Sequence, residues 1–193
     1  MERTTINFRI NDDTLLAQFN HAMAKEQKKY KFATDGIRTI KDLEIIFTAS
    51  KIKNFRDNEH YLIASLAQKQ SPLILNVLNE LKDKFEKIYQ EERNITGQII
   101  FFKKILEQVE YHDKTQDINV LISPHVMLFI NITALADNII KQLRVQYLNG
   151  SIDETTLLIK RNKILKQYAA LREKLHEMKQ ERKKLFKKVK DNL

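Results

Sequence analysis

Residues that break helices are scarce in this chain: its 193 residues include three glycines and two prolines. Between those breaks, apolar residues recur at intervals of three and four, the spacing that places them on one face of an α-helix. The pattern predicts a mainly α-helical protein, and 42% hydrophobic residues suffice for a sizeable core. The chain has no cysteine, so disulfides and thiolate metal sites are excluded. The absence of disulfides is typical of proteins in a reducing compartment. We therefore expect a cytoplasmic protein. The most apolar run, Val126 to Ala136, is interrupted by Asn131 and Thr133 and is too short to span a bilayer, so we expect no membrane span.

Signals for helix starts recur after residue 58. Ser71 before Pro72, and Ser123 before Pro124, have the order of a cap followed by a first helical residue. Each is followed by an apolar stripe that predicts a helix, with Ile74, Leu78, Leu81, Phe85 and Ile88 in the first stripe and Phe129, Ile132, Ala136, Ile139 and Leu143 in the second. Ser151 with Glu154 predicts a capping box that starts a last, unbroken helix.

The last helix carries a heptad repeat and most of the surplus charge. Its two apolar rows predict a coiled-coil-like seam that two arginines interrupt; the rows are Leu157, Ile164, Leu171, Met178 and Leu185, and Arg161, Tyr168, Leu175, Arg182 and Val189. The seam can pack within the chain or across a dimer, and we favour the chain because every earlier helix offers a stripe. Residues 151–193 hold 13 basic and 6 acidic residues, a surplus of +7 out of a total of +9. This basic surface either meets a polyanion or is a solvated face.

Known catalytic and metal-binding motifs are absent from the sequence. It contains no phosphate-binding glycine loop and no HExxH, and its five histidines are dispersed. Glu173 and His176 have the spacing used in bundle metal sites, but no second such pair accompanies them. His112 and Asp113 fall in a predicted loop without a partner. We predict that the protein is not an enzyme and holds neither a metal nor a cofactor.

The N-terminal stretch TTINFRIN, residues 4–11, departs from the helical pattern. Its alternation predicts a strand with one apolar face, formed by Ile6, Phe8 and Ile10, and one polar face, formed by Thr5, Asn7 and Arg9. Two helices should follow, one capped by Asn11 or Asp12 and running to about Lys28, the other capped by Thr34. A strand needs a partner for its backbone groups, and no second strand is evident in the sequence.

This strand, helix, helix order resembles the ribbon-helix-helix family of DNA-binding proteins, in which the N-terminal strands of two chains pair into an antiparallel ribbon. The resemblance implies a homodimer in which Thr5, Asn7 and Arg9 read base edges in the major groove. It also implies phosphate contacts near the start of the second helix, where Asp35 would have to point away from the anion. The candidate phosphate-binding residues are Lys28, Lys29, Lys31, Ala33, Thr34 and Arg38.

A looser resemblance concerns LFINITALADNIIKQL, Leu128 to Leu143, which is similar to the C-terminal part of MobC-like accessory proteins of plasmid mobilisation. The same residues would also serve as ordinary bundle core. Together the resemblances imply a ribbon-helix-helix domain at 1–48, a linker at 49–58, and an α-helical partner-binding or oligomerisation domain at 59–193.

The function implied is sequence-specific binding of double-stranded DNA. A relaxosome accessory factor would bind a plasmid transfer origin and recruit a relaxase or another protein partner, as a homodimer or as a higher oligomer on DNA. Two alternatives stay open. One is a ribbon-helix-helix repressor or plasmid partition protein, and the other is a helical scaffold that binds no DNA.

Overall fold

The computed structural model describes residues 2–23, 34–109 and 115–191. Within them the prediction of a mainly helical protein is confirmed. The elements in chain order are β1 (Arg3–Arg9), α1 (Asp13–Phe19), a short 3₁₀ helix (His21–Met23), α2 (Gly36–Ser50), α3 (Asn58–Thr96), α4 (Phe102–Val109), β2 (Thr115–Leu121), α5 (Pro124–Leu148) and α6 (Glu154–Lys190).

The strand β1 has a partner within its own chain, which the sequence analysis missed. β1 and β2 form a two-stranded antiparallel sheet, here called the β1–β2 ribbon, in which Arg3 pairs with Leu121 and Arg9 with Thr115. β2 alternates exposed and buried residues: Gln116, Ile118 and Val120 are buried, and Leu121 at its end is buried as well. The backbone groups of β1 are therefore satisfied along one edge without a second chain.

The helices α3, α5 and α6 form the body of the protein. α3 and α5 run parallel, because Ser71 contacts His125 near one end and Thr96 contacts Gln142 near the other. α6 runs antiparallel to α3. Lys160, near the start of α6, binds Glu92 near the end of α3, whereas Arg182, near the end of α6, binds Gln70 in the first half of α3. The second apolar stripe predicted from the sequence is fully buried on α5, which lies at the centre.

Helix α3 is longer than predicted. Ser71 and Pro72 do not start a helix: α3 begins at Asn58 behind the cap Asp57 and continues through Pro72 to Thr96. Proline lacks the N–H that would bind the carbonyl four residues earlier, so this position costs the helix one hydrogen bond. Its predicted stripe is nevertheless correct, because Ile74, Leu78 and Phe85 are buried and Leu81 and Ile88 are partly buried.

The seam of α6 packs within the chain over most of its length. Four residues of the seam are buried, namely Ile164, Tyr168, Leu171 and Leu175, and Leu165 beside them is buried as well. Leu185 and Val189, in the last turns, are instead 51% and 39% exposed. The arginines that interrupt the seam have polar partners inside the chain: Arg161 binds Asp12, and Arg182 binds Gln70.

The predicted cap of α1 is confirmed, whereas two other helix starts differ in detail from the sequence prediction. The caps are Asp12 for α1, Asp35 rather than Thr34 for α2, and Asp153 rather than Ser151 for α6. α1 ends at Phe19, so the prediction that it runs to about Lys28 is wrong. The start of α2 lies close to this end: a Cβ on Gly36 would lie 2.6 Å from Cδ2 and 2.9 Å from the carbonyl oxygen of Phe19. Glycine is therefore required at this contact.

Residues on both sides of the predicted linker 49–58 share one hydrophobic core. That core includes Leu15, Phe19 and Leu43 from the first unit together with Phe129 and Ile139 from α5. Within the part of the chain that the structure describes, α5 is the one helix long and apolar enough to span a membrane, and 61% of its apolar window is buried inside the protein. Such burial is also what a central helix of a packed core shows.

Candidate nucleic-acid interface

The exposed face of the β1–β2 ribbon carries the three residues predicted to read DNA bases. Thr5, Asn7 and Arg9 are exposed, whereas Thr4 and Ile6, which alternate with them along the strand, are partly buried. The register places Thr5 opposite Asn119, Asn7 opposite Asp117 and Arg9 opposite Thr115. The face is thus a polar double row, because the two strands bring together side chains from distant parts of the sequence.

An acidic residue lies in the middle of this face. The Nδ2 of Asn7 donates a hydrogen bond of 2.6 Å to Oδ1 of Asp117. A carboxylate repels phosphate, but it accepts from the exocyclic amine of cytosine, and asparagine suits an adenine edge. Asp117, Asn119 and Thr115 were not predicted as neighbours of Thr5, Asn7 and Arg9, because β2 was not evident in the sequence.

Arg3 fixes one end of the ribbon to α2. Its guanidinium donates two hydrogen bonds of 3.1 Å to the carboxylate of Glu44, and its Nε donates to Oδ1 of Asn119 at 2.7 Å. Glu44 in turn accepts from the backbone N–H of Leu121 at 2.7 Å. The positive charge of Arg3 is therefore paired with the carboxylate of Glu44. Among the described residues, no carboxylate forms an ion pair with Arg9, so Arg9 is the cation that this face offers to a ligand.

The start of α2 does not have the geometry that the resemblance implied. The carboxylate of Asp35 accepts from the N–H of Arg38 at 2.9 Å and so occupies the place of an anion at this helix end. Thr34 is buried, and its carbonyl accepts from Nη1 of Arg172. Arg38 is exposed. The other candidate phosphate-binding residues, Lys28, Lys29, Lys31 and Ala33, lie outside the described residues.

A buried ionic cluster holds the N-terminal unit on the helical body. Asp12, which is 0% exposed, accepts from Arg161 at 2.7 and 2.9 Å and from Arg144 at 2.8 Å. It also caps α1 by accepting from the N–H groups of Thr14 and Leu15. Burial alone would raise the pKa of Asp12, but the hydrogen bonds and charge of Arg161, with smaller contributions from Leu15 and Arg144, outweigh it, so the pKa is lowered.

A second buried carboxylate lies beside the first. Asp137 accepts from the N–H groups of Asn11 and Asp12 at 2.8 and 3.0 Å, and from Nδ2 of Asn11 at 2.7 Å. Burial raises its pKa against these hydrogen bonds. Asp12 and Asp137 thus fix the segment that joins β1 to α1, so the orientation of the ribbon on the body is set by buried polar contacts.

The structure also brings a serine and a histidine together. Oγ of Ser71 lies 2.9 Å from Nε2 of His125, a residue that is buried at the start of α5. In a catalytic triad a carboxylate would bind Nδ1, and the described residues place no hydrogen-bond partner at that atom. Burial lowers the pKa of His125. The pair joins α3 to α5 beside Pro72.

No metal site is found among the described residues, since no group of three or more histidine, aspartate or glutamate side chains converges there. Glu173 is exposed. Nε2 of His176 lies 3.1 Å from the side-chain amide of Gln180. His112 and Asp113 lie outside the described residues.

Comparison with known proteins identifies no relative. No protein-family model matches the chain, and no similar protein was found among curated proteins or solved structures. Inferences about function therefore depend on the chemistry of the surfaces described above.

Proposed function

We propose that this protein binds double-stranded DNA and that the exposed face of the β1–β2 ribbon enters the major groove. The observation that carries the proposal is the double row of exposed polar side chains, which includes Arg9, a cation with no ion-pair partner among the described residues. Arginine binds a guanine edge with two hydrogen bonds, asparagine binds an adenine edge, and threonine contacts either a polar edge or the thymine methyl group.

The dimensions of the ribbon favour one ribbon per groove. Two strands about 4.8 Å apart fit a major groove about 12 Å wide. Pairing β1 with β1 of a second chain would give four strands, whose outer axes lie about 14 Å apart, too wide to enter. We therefore propose that a homodimer presents two separate ribbons, which suits half-sites about one helical turn apart.

The proposed role is that of a relaxosome accessory factor, which binds a transfer origin and recruits a relaxase through the helical body. A repressor or partition protein with the same ribbon would bind repeats in its own promoter or in a centromere-like array. Nuclease protection on DNA from both kinds of locus distinguishes the two roles, because the ribbon contacts the repeat that it recognises. Retention of a relaxase by the protein is expected for the first role alone.

The test is a mobility-shift titration on DNA flanking the gene for this protein. Arg9→Ala and Asn7→Ala should each weaken specific binding by about 1–3 kcal/mol, since each removes a contact to a base edge. Asp117→Asn should strengthen non-specific binding, because it removes a negative charge from the face that approaches phosphate. Lys163→Ala, which removes an exposed charge from α6, is the matched control and should leave sequence preference unchanged.

Circular dichroism spectra of the variants should match that of the wild type, since all four side chains are exposed. Specific affinity that is unchanged in the combined Arg9→Ala and Asn7→Ala variant would refute the proposal. A scaffold that binds no DNA would show neither specific nor competitor-resistant binding in the same titration.

A further inference from the structure

An open apolar groove lies between the first turns of α3 and the last turns of α6. It has a volume of about 360 Å³, and it is lined by Glu59, Ile63, Leu66, Arg182, Lys183 and Phe186. We call it the α3–α6 groove. None of these residues belongs to the β1–β2 ribbon, so the groove offers a second surface for recognition.

The groove continues into an exposed apolar strip on α6. At about 100° per residue, Leu185, Val189 and Phe186 fall within one sector about 100° wide. Leu185 is 51% exposed and Val189 is 39% exposed, and Ile63 on the facing helix is 38% exposed. The same stripe is buried earlier in α6, so its last turns carry an apolar surface that the described part of the chain leaves uncovered.

Basic residues surround this apolar surface. The run Arg182 to Lys190, RKKLFKKVK, contains six basic residues and no acidic one. The acidic residue that lines the groove, Glu59, forms an ion pair of 2.9 Å with Lys190, which also lies 5.9 Å from the ring centre of Phe186. The groove is therefore strongly positive around an apolar centre.

We propose that the α3–α6 groove binds an amphipathic helix of a partner protein whose apolar stripe is flanked by acidic residues. Its apolar side chains would lie against Ile63, Leu66 and Phe186, while its carboxylates would face the lysines of α6. The inference stands on this groove alone and does not depend on DNA binding by the ribbon.

Three other occupants fit the surface less well. A second copy in a two-fold dimer would bring the same cluster of lysines against itself, and like charges repel. Nucleic acid offers phosphates but no apolar stripe for Ile63 and Leu66. A membrane surface is flat, whereas Phe186 is half-buried in a groove between two helices.

The test uses a synthetic helical peptide of about three heptads, with leucine at the core positions and glutamate beside them, labelled for fluorescence anisotropy. Full-length protein should bind this peptide, and binding should weaken as salt is raised. Two control peptides, one with serine for leucine and one with glutamine for glutamate, should bind at least about tenfold more weakly. The first lacks the apolar contacts and the second lacks the negative charges.

Variants locate the site on the protein. Ile63→Glu, and separately Lys183→Glu combined with Lys187→Glu, should reduce peptide affinity at least about tenfold, since they change the apolar centre and the basic border. Lys163→Glu combined with Lys166→Glu, at exposed positions nearer the start of α6, is the matched control and should reduce it far less. All these side chains are exposed or partly exposed, so the variants should keep the wild-type unfolding midpoint.

Several results would overturn the proposal. One is equal binding of the serine peptide, which would show that any polyanion suffices. A second is peptide affinity that Ile63→Glu leaves unchanged. A third is that duplex DNA or vesicles of anionic lipid bind through Lys183 and Lys187 while the acidic peptide does not. A fourth is self-association by sedimentation velocity that Ile63→Glu abolishes, which would assign the groove to a second copy.

Discussion

Replacing Asp12 by alanine should destabilise the protein much more than loss of a helix cap alone. Asp12 caps α1 and is also the buried carboxylate that Arg161 and Arg144 share. A lost cap costs about 1 kcal/mol, whereas removing one partner of a buried ion pair costs about 3–5 kcal/mol. Both arginines are partly solvated, with side chains 19% and 24% exposed, so we expect a total near the lower end, about 3–4 kcal/mol.

Asp153 provides the matched control, because it caps α6 through the N–H of Thr156 at 2.7 Å and is exposed. Asp153→Ala should cost about 1 kcal/mol. The measurement is the free energy of unfolding from urea titrations of wild type and both variants at neutral pH, with the slope compared to confirm a common unfolded state. Equal losses for Asp12→Ala and Asp153→Ala would refute the energetic role of the ionic cluster.

The charge of Asp12 can be separated from its cap by pH. Asp12→Asn keeps an oxygen at the cap but removes the charge. Because the pKa of Asp12 is lowered in the folded protein, its ionisation stabilises the fold above the unfolded value of 3.8, and this contribution is lost as pH falls through the folded pKa. The stability difference between wild type and Asp12→Asn should therefore shrink in acid. A difference that does not change with pH would assign the effect to shape alone.

Two further predictions concern packing in the core. Gly36→Ala should lower the free energy of unfolding by about 1–3 kcal/mol, because the added Cβ meets both the ring and the backbone of Phe19, whereas Gly97→Ala should stay within about 1 kcal/mol of wild type. Tyr168 is fully buried and its hydroxyl lies 3.0 Å from that of Thr133, and burial raises its pKa to about 12. A near-ultraviolet titration should therefore show one tyrosine that ionises late, and Tyr168→Phe should remove this component. The loss of the hydrogen bond should lower the free energy of unfolding by about 1 kcal/mol. A tyrosine titration with no late component would contradict the burial of Tyr168.

The helices with strong local signals were predictable from sequence. α5 starts at Ser123 and Pro124 and ends just before the Asn-Gly turn, as its cap and its stripe indicated. The heptad of α6 likewise identified its buried face, because the periodicity reports which side of a helix lies against a core.

The features that the sequence did not reveal depend on distant contacts. β2 is seven residues long and carries Asp117 and Asn119, which are disfavoured in strands, so its alternation was lost beside a predicted loop. Ser71 and Pro72 have the same local pattern as a helix start, but packing on α5 keeps α3 continuous through them. The arginines of the α6 seam looked like interruptions because Asp12, which pairs with Arg161, is remote in sequence.

The candidate interface was predictable in part. The exposed face of β1 follows from alternation alone, so the exposure of Thr5, Asn7 and Arg9 was predictable. Their neighbours on β2 were not, and neither was the cap by Asp35, whose side chain turns towards the N–H of Arg38. Threonine and aspartate have similar preferences for the N-cap position, so the sequence alone does not distinguish Thr34 from Asp35 as the cap.

The pairing of β1 with β2 has a consequence for synthesis of the protein. Asn7 and Asp117, which face each other across the ribbon, are 110 residues apart in the sequence. During translation, β1 leaves the ribosome long before β2 exists, and its apolar side and its free edge then have no native partner. Nascent or prematurely terminated chains that lack β2 should therefore depend on chaperones or associate through this strand, so β1 would be translated long before β2 yet be among the last elements to reach its final contacts.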